Sequence, residues 1–270
     1  MPASVMNEDK KKLLLEAGVF FGIVVGGFGV VVLSIAVFLY LRDSSSSVRQ
    51  YNELREIAKR FEIIGASESP PSAWEMDSAD TIYDVENVVY AAVGGLSEFD
   101  LKMRMINPDF IAWLVIDGTN ISYPVVRGKD NEQYLYTTFF GEFNRFGTPF
   151  MDYRNVGSFV PHIIIYGHNT RHGDMFSQLH LMLDERFLAD ASVIKLIVNG
   201  RVVEFDIFRA VHTDIHDFAY FLDFSHADAF GAFLERIGAP PDAAQILTLS
   251  TCVRGPDDDE RMIVQAVLRK

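Results

Sequence analysis

From Phe110 to its end the chain is a succession of short β-type runs separated by turn residues, with only a few stretches of helical spacing between them. The runs are Phe110–Ile116, Ile121–Val126, His162–Tyr166, Val193–Val198, Val202–Val211, Ala243–Cys252 and Met262–Leu268. Each is rich in apolar and β-branched residues, the composition of strands half or wholly buried. Asp117-Gly118 marks a turn, and Asn199-Gly200 is a strong two-residue hairpin signal. Asp174–Leu183 and His226–Ile237 carry helical spacing, and Glu185–Ala189 reads as a further turn. Many short strands with helices inserted predict a mainly β fold, a closed or partly closed barrel with helical decorations.

The residues ahead of this region are different in kind. Ala17–Leu41 holds 25 residues without a charged side chain. At about 1.5 Å per residue such a helix exceeds a hydrocarbon core of roughly 30 Å, so the run predicts one transmembrane signal anchor. It is too long for the apolar part of a cleaved signal peptide, and Phe38-Leu39-Tyr40-Leu41-Arg42 is a poor cleavage site. Ser44–Ser47 reads as a flexible joint. Val48–Ile64 reads as a helical stalk with Tyr51, Leu54, Ile57, Ala58 and Phe61 on one stripe. Gly65–Gly95, with Pro70-Pro71 and Gly94-Gly95, reads as a surface excursion, and Ser97 as the cap of a short helix reaching Met105. The expected division is therefore 1–16 at the cytoplasmic N-terminus, 17–41 in the membrane, 42–95 as stalk and excursion, and 96–270 as the folded domain.

The formal charge is -13, all of it beyond Leu41, where 21 basic residues face 34 acidic ones. Such a surface argues against nucleic acid as a partner. Cys252 is the one cysteine. It can form no internal disulfide and makes no cysteine-based zinc site, which leaves a small buried hydrophobe or a nucleophile. It ends the apolar run Ile246–Leu249-Ser250-Thr251, and a second β-type run begins at Arg261. Two adjacent strands could bring a thiol and a guanidinium to one face, where the thiolate attacks a carbonyl and the cation holds the oxyanion. His162, His168 and His172 have loop spacing, not the i,i+4 pair of a helical metal site, and Asp257-Asp258-Asp259-Glu260 lacks the alternation of a calcium loop. Neither predicts a metal.

Thr248-Leu249-Ser250-Thr251-Cys252 with Arg261 heading the last strand resembles the Cys signature of sortases. Ile165-Tyr166-Gly167-His168-Asn169, running on to Gly173-Asp174-Met175-Phe176, resembles the histidine segment of class B sortases. Asn107–Trp113, Asp117–Ile121 and Gly147–Asn155 are also similar to segments of that class, and all stand in the family's order. The resemblance covers roughly Asn107 to Lys270. It implies the sortase β-barrel and a cysteine transpeptidase using no cofactor. Cys252 would be the nucleophile, His168 the proton donor to the leaving amine and Arg261 the oxyanion partner, with Arg254 as its nearer competitor in sequence. Ser250 and Thr251 would line the substrate groove.

The implied partners are secreted proteins with a C-terminal sorting signal, cleaved after Thr, and an acceptor amine from peptidoglycan or a pilin lysine. The implied location is the cell membrane, single-pass, bound to lipid through 17–41, with the catalytic domain outside. A cell-wall cysteine peptidase and an inert binding module on the same barrel are the competing readings. The order of His168 before Cys252 speaks against a papain-like peptidase, and the caspase signature is absent.

Overall fold

The computed structural model describes residues 8–61, 96–156, 160–171, 173–190, 192–226, 228–253 and 258–270, with side chains from Val32 onward. The expected surface excursion, His172, Arg254 and Asp257 lie outside the described residues. The chain forms two compact units, Met1–Ser46 and Ser47–Lys270.

One helix, α1, runs Glu8–Arg60. The expectation of a membrane-spanning anchor, with the catalytic domain outside the cell membrane, is corrected here. Among the described residues no helix is long and apolar enough to cross a membrane. The helix then continues through Arg42 and Asp43 instead of ending. The serines expected to form a joint are helical as well. Ser45 Oγ donates to the Arg42 carbonyl (3.0 Å) and Ser46 Oγ to the Asp43 carbonyl (3.1 Å), the back-bonding by which serine satisfies itself inside a helix.

The second unit is a closed barrel of eight strands. They are β1 (Phe110–Ile116), β2 (Ser122–Val126), β3 (Phe150–Met151), β4 (His162–Tyr166), β5 (Val193–Val198), β6 (Arg201–Asp214), β7 (Ile246–Cys252) and β8 (Glu260–Leu268). The order around the barrel is β1-β2-β3-β4-β7-β8-β6-β5, closed by the β1–β5 pair. Only β2–β3 and β4–β7 are parallel. The β5–β6 hairpin turns on Asn199 and Gly200, both at positive φ (49° and 74°), as a turn matching strand twist requires.

Among the described residues three α-helices and two 3-10 helices decorate the barrel. In α2 (Glu98–Ile106), Ser97 caps as expected, its Oγ accepting from the Asp100 N–H at 3.1 Å. Phe99 of α2 meets Phe110 and Trp113 edge-on. The segment expected to be helical from Asp174 forms a 3-10 helix, Ser177–Leu183, followed by the short α3 (Glu185–Asp190). A second 3-10 turn, Phe218–Tyr220, and α4 (Ala229–Ile237) lie between β6 and β7 and share a core with Ile246. The stripe on α1 is used: Tyr51, Leu54 and Ala58 are buried, Tyr51 packs edge-on against Tyr123, and Phe61 packs against Phe99.

The polar interior is compensated residue by residue. Asp152 has no exposed surface and accepts from Arg154 Nε (2.9 Å) and Nη2 (2.7 Å), from Asn131 Nδ2 and from the Tyr166 hydroxyl. Burial works against its charge, but the Arg154 fork and the other donors hold its carboxyl below the usual range. His162 is also fully buried, and burial pulls it down to about 4. A histidine kept neutral in the fold stabilises above its unfolded value near 6.5 and loses that contribution as pH falls toward 4, because the unfolded chain takes up the proton first. We predict that wild type loses up to roughly 3 kcal/mol from this group between pH 7 and pH 4. In urea unfolding, the stability gap between wild type and His162→Asn narrows by a comparable amount over that range. An unchanged gap contradicts the assignment.

Candidate active site

Main-chain pairing places the expected site residues. Across β4 and β7 the parallel register sets Ile164 against Thr248 and Tyr166 against Ser250. The Gly167 N–H donates to the Ser250 carbonyl at 3.1 Å and closes the last of these pairs, and His168 follows in the loop beyond β4. Across β7 and β8 the antiparallel register pairs Ser250 with Ile263 and Cys252 with Arg261. Side chains alternate along a strand, so Cys252 and Arg261, paired across β7 and β8, share one face, with His168 in the loop that leaves β4. Thr248 and Ser250 stand on that face behind them, while Thr251 points to the other. Cys252 is exposed at the end of β7. Ser250 is buried on the same face of β7 as Cys252. Thr251 is buried on the opposite face, its hydroxyl without a hydrogen-bond partner, and the structure does not bring it to the face of Cys252.

His168 is held by a backbone carbonyl. Its Nε2 donates to the Leu135 carbonyl at 2.7 Å, leaving Nδ1 as the nitrogen for proton traffic. Burial lowers its basicity, and the Leu135 bond only partly offsets this. Its ring lies 6.0 Å from that of Tyr136. The loop that follows is tied down by the residues of the matching segment. Phe176 N–H donates to the His168 carbonyl (2.9 Å), Met175 N–H to the Tyr123 hydroxyl (3.0 Å), and Asn169 Nδ2 to the Cys252 carbonyl (2.9 Å). Imidazole and thiol are not hydrogen-bonded to each other, and such bonds in unliganded sites often tighten only in the complex.

Arg261 uses Nη1 on backbone carbonyls, that of Asp258 at 2.6 Å and that of Glu260 at 3.0 Å. It is partly buried. His162 sits at the start of β4, at the other end of the strand from His168; His180, His212, His216 and His226 are exposed. Among the described residues no cluster of metal-ligating side chains forms.

Sequence reasoning missed three contributors. Tyr220 places its hydroxyl 2.8 Å from Ser250 Oγ and stacks on Tyr166. Burial pushes its phenol up, and both Arg261 and Cys252 lie within electrostatic reach. The Leu135 carbonyl is a backbone group that leaves no signature in a sequence. Gly147 is the third. It has φ +53°, and a Cβ there would stand 2.3 Å from the Tyr134 carbonyl oxygen and 2.5 Å from that of Leu135. Its own carbonyl accepts from Tyr51 of α1 at 2.6 Å. Asn107 and Asp109 grip the same loop through the Tyr134 hydroxyl. The signal available was Gly147 itself, inside a segment already singled out.

These contacts predict that Gly147→Ala costs roughly 2–4 kcal/mol, from the positive φ and the backbone overlap together. By moving the Leu135 carbonyl it also shifts the His168 imidazole resonances in NMR spectra recorded well below the unfolding midpoint. Unshifted resonances count against the Leu135 bond.

The geometry can now be set beside known proteins. The family model for the sortase domain matches residues 114–269. A sortase B of Listeria monocytogenes is 31% identical over 205 residues, which is 72% of this chain and 83% of that protein. A sortase B of Staphylococcus aureus is 30% identical over 173 residues, 60% of this chain and 71% of the relative. The crystal structure of sortase B from B. anthracis superposes with a TM-score of 0.65 at 26% identity, covering 85% of this chain and 99% of that one. The matched domain takes in His168, Cys252 and Arg261, and with it this chain belongs to the sortase family as a class B cysteine transpeptidase.

Proposed function

We propose that this transpeptidase cleaves a C-terminal sorting signal after its threonine and transfers the protein, through a thioester on Cys252, to an amine of a peptidoglycan precursor. The observation that carries the proposal is the pairing of Cys252 with Arg261 across β7 and β8, with the loop of His168 tied to the Cys252 carbonyl through Asn169. In this reading His168 Nδ1 takes the Cys252 proton as the sulfur attacks the threonyl carbonyl carbon. The carbon–sulfur bond forms, and the negative charge moves to the carbonyl oxygen beside the Arg261 guanidinium. Collapse of that intermediate breaks the carbon–nitrogen bond, and His168 returns the proton to the departing amine. The acceptor amine then attacks the thioester, loses a proton to His168 and expels the thiolate. A barrel face open at Cys252 suits a polypeptide substrate, and the buried Ser250 with Tyr220 forms the wall behind it.

The test incubates the full chain with a library of quenched sorting-signal peptides and candidate amines, peptidoglycan-derived and pilin-like. Peptide–amine products are expected with wild type and absent with Cys252→Ala, and Arg261→Ala lowers turnover roughly 10²–10³-fold. Capture of a pilin-like lysine alone would move the assignment from wall anchoring to pilus assembly, and cleavage without capture would make the chain a peptidase. Because the neutral imidazole accepts the first proton and burial disfavours the cation, the acid limb of kcat/KM lies below the ordinary histidine value near 6.5. A limb at or above that value is incompatible with His168 as the first base.

A further inference from the structure

His162 takes no part in these steps. Its surroundings ask for more. Nδ1 lies 2.9 Å from the Phe221 carbonyl and Nε2 2.7 Å from Thr248 Oγ1. A carbonyl only accepts, so Nδ1 carries the proton, Nε2 accepts, and the Thr248 hydroxyl donates. Thr248 Oγ1 in turn accepts from Gln265 Nε2 at 3.2 Å, and Gln265 Oε1 accepts from Arg209 Nη1 at 2.9 Å. Every donor direction is thus fixed, from Arg209 on β6 across β8, β7 and β4 to the Phe221 carbonyl.

That carbonyl belongs to the residue following Tyr220. The Phe221 N–H closes the 3-10 turn onto Phe218 at 3.0 Å, so the relay ends on the turn that carries Tyr220 to Ser250, one row behind Cys252 and Arg261. Packing alone does not call for a histidine here. Phe233 (4.7 Å) and Phe224 (6.4 Å) face the ring, and a phenyl ring would fill the same space without the desolvation that burying an imidazole entails.

We propose that His162 is a positioning residue for the transpeptidation: through the Phe221 carbonyl it holds the 218–221 turn so that Tyr220 stays on Ser250 beside the thiol. It acts on how substrate is held, not on the bonds that break. The proposal rests on the transpeptidase reading above, and one of its measurements does not.

The test uses the full chain with His162→Asn, His162→Gln and His162→Phe. The Asn amide can reach the place of Nδ1 and keep the Phe221 bond; the longer Gln amide reaches the place of Nε2 and loses it. With sorting-signal peptide as substrate, His162→Gln and His162→Phe raise KM about ten-fold, the loss of one buried hydrogen bond, with kcat within about three-fold of wild type. His162→Asn recovers most of the difference. Tyr220→Phe raises KM similarly, and combining it with His162→Gln adds little further. Equal KM in the Asn and Gln variants, a loss confined to kcat, or additive effects would each overturn the proposal. Amide hydrogen exchange over 218–221 needs no substrate: it quickens in His162→Gln but not in His162→Asn. Equal exchange in the two overturns the proposal even if wild type turns over no peptide, an outcome that would by itself sink only the transpeptidation scheme.

Discussion

The site depends on the position of β7 between a parallel and an antiparallel neighbour. Main-chain hydrogen bonds to β4 and β8 fix its register on both sides, and a slip of one residue would turn every side chain to the other face. The thiol, the imidazole and the guanidinium come from segments 84 and 9 residues apart in the chain, yet pairing sets Cys252 beside Arg261 and β4 leads to His168 without contact among the three side chains. The backbone ladder does the aligning. Other groups then hold each member: the Leu135 carbonyl for His168, the Asp258 and Glu260 carbonyls for Arg261, and the Asn169 side chain for the end of β7.

A second layer of order is polar and buried. Asp152 gathers Arg154, Asn131 and Tyr166, while Asn155 bonds both the His162 carbonyl and the Ile164 N–H. These residues stitch the loop after β3 to the edge of β4. In an interior of low dielectric each such bond is stiff when satisfied and costly when broken. The tyrosines of this layer, Tyr166 and Tyr220, stack nearly parallel with an interplanar angle of 11° and pass that stiffness to Ser250, which Tyr220 meets through its hydroxyl.

Much of this was legible in the chain and some was not, for definable reasons. The strands were readable because apolar and β-branched residues cluster over short runs, and β4 begins and ends where its composition does. Asn199-Gly200 announced its turn because two positive φ angles demand those residues. The Cys252–Arg261 pairing followed from the expectation that both lie on neighbouring strands. The serines at 44–47 misled because their composition favours a loop, while helical back-bonds and the buried stripe of Tyr51, Leu54 and Ala58 carry the helix on. The apolar run before them invited a membrane reading that the described helix does not support. Thr251 was named with its neighbours, although alternation along β7 sets it on the far face. Tyr220 and Leu135 were hidden because their partners lie 30 and 33 residues away, and no local pattern encodes such a meeting.

The closed barrel has a consequence for recognition. Many proteins that grip extended peptides add them as a further strand to an open sheet edge, so that the peptide's own backbone supplies most of the hold whatever its sequence. Here β7 already has a strand on either side, and the ring of strands closes on itself. A peptide laid along Cys252 meets side chains and loops where an open sheet would offer backbone. The hold must then come largely from what those few groups can read, which makes discrimination between substrates a direct outcome of topology.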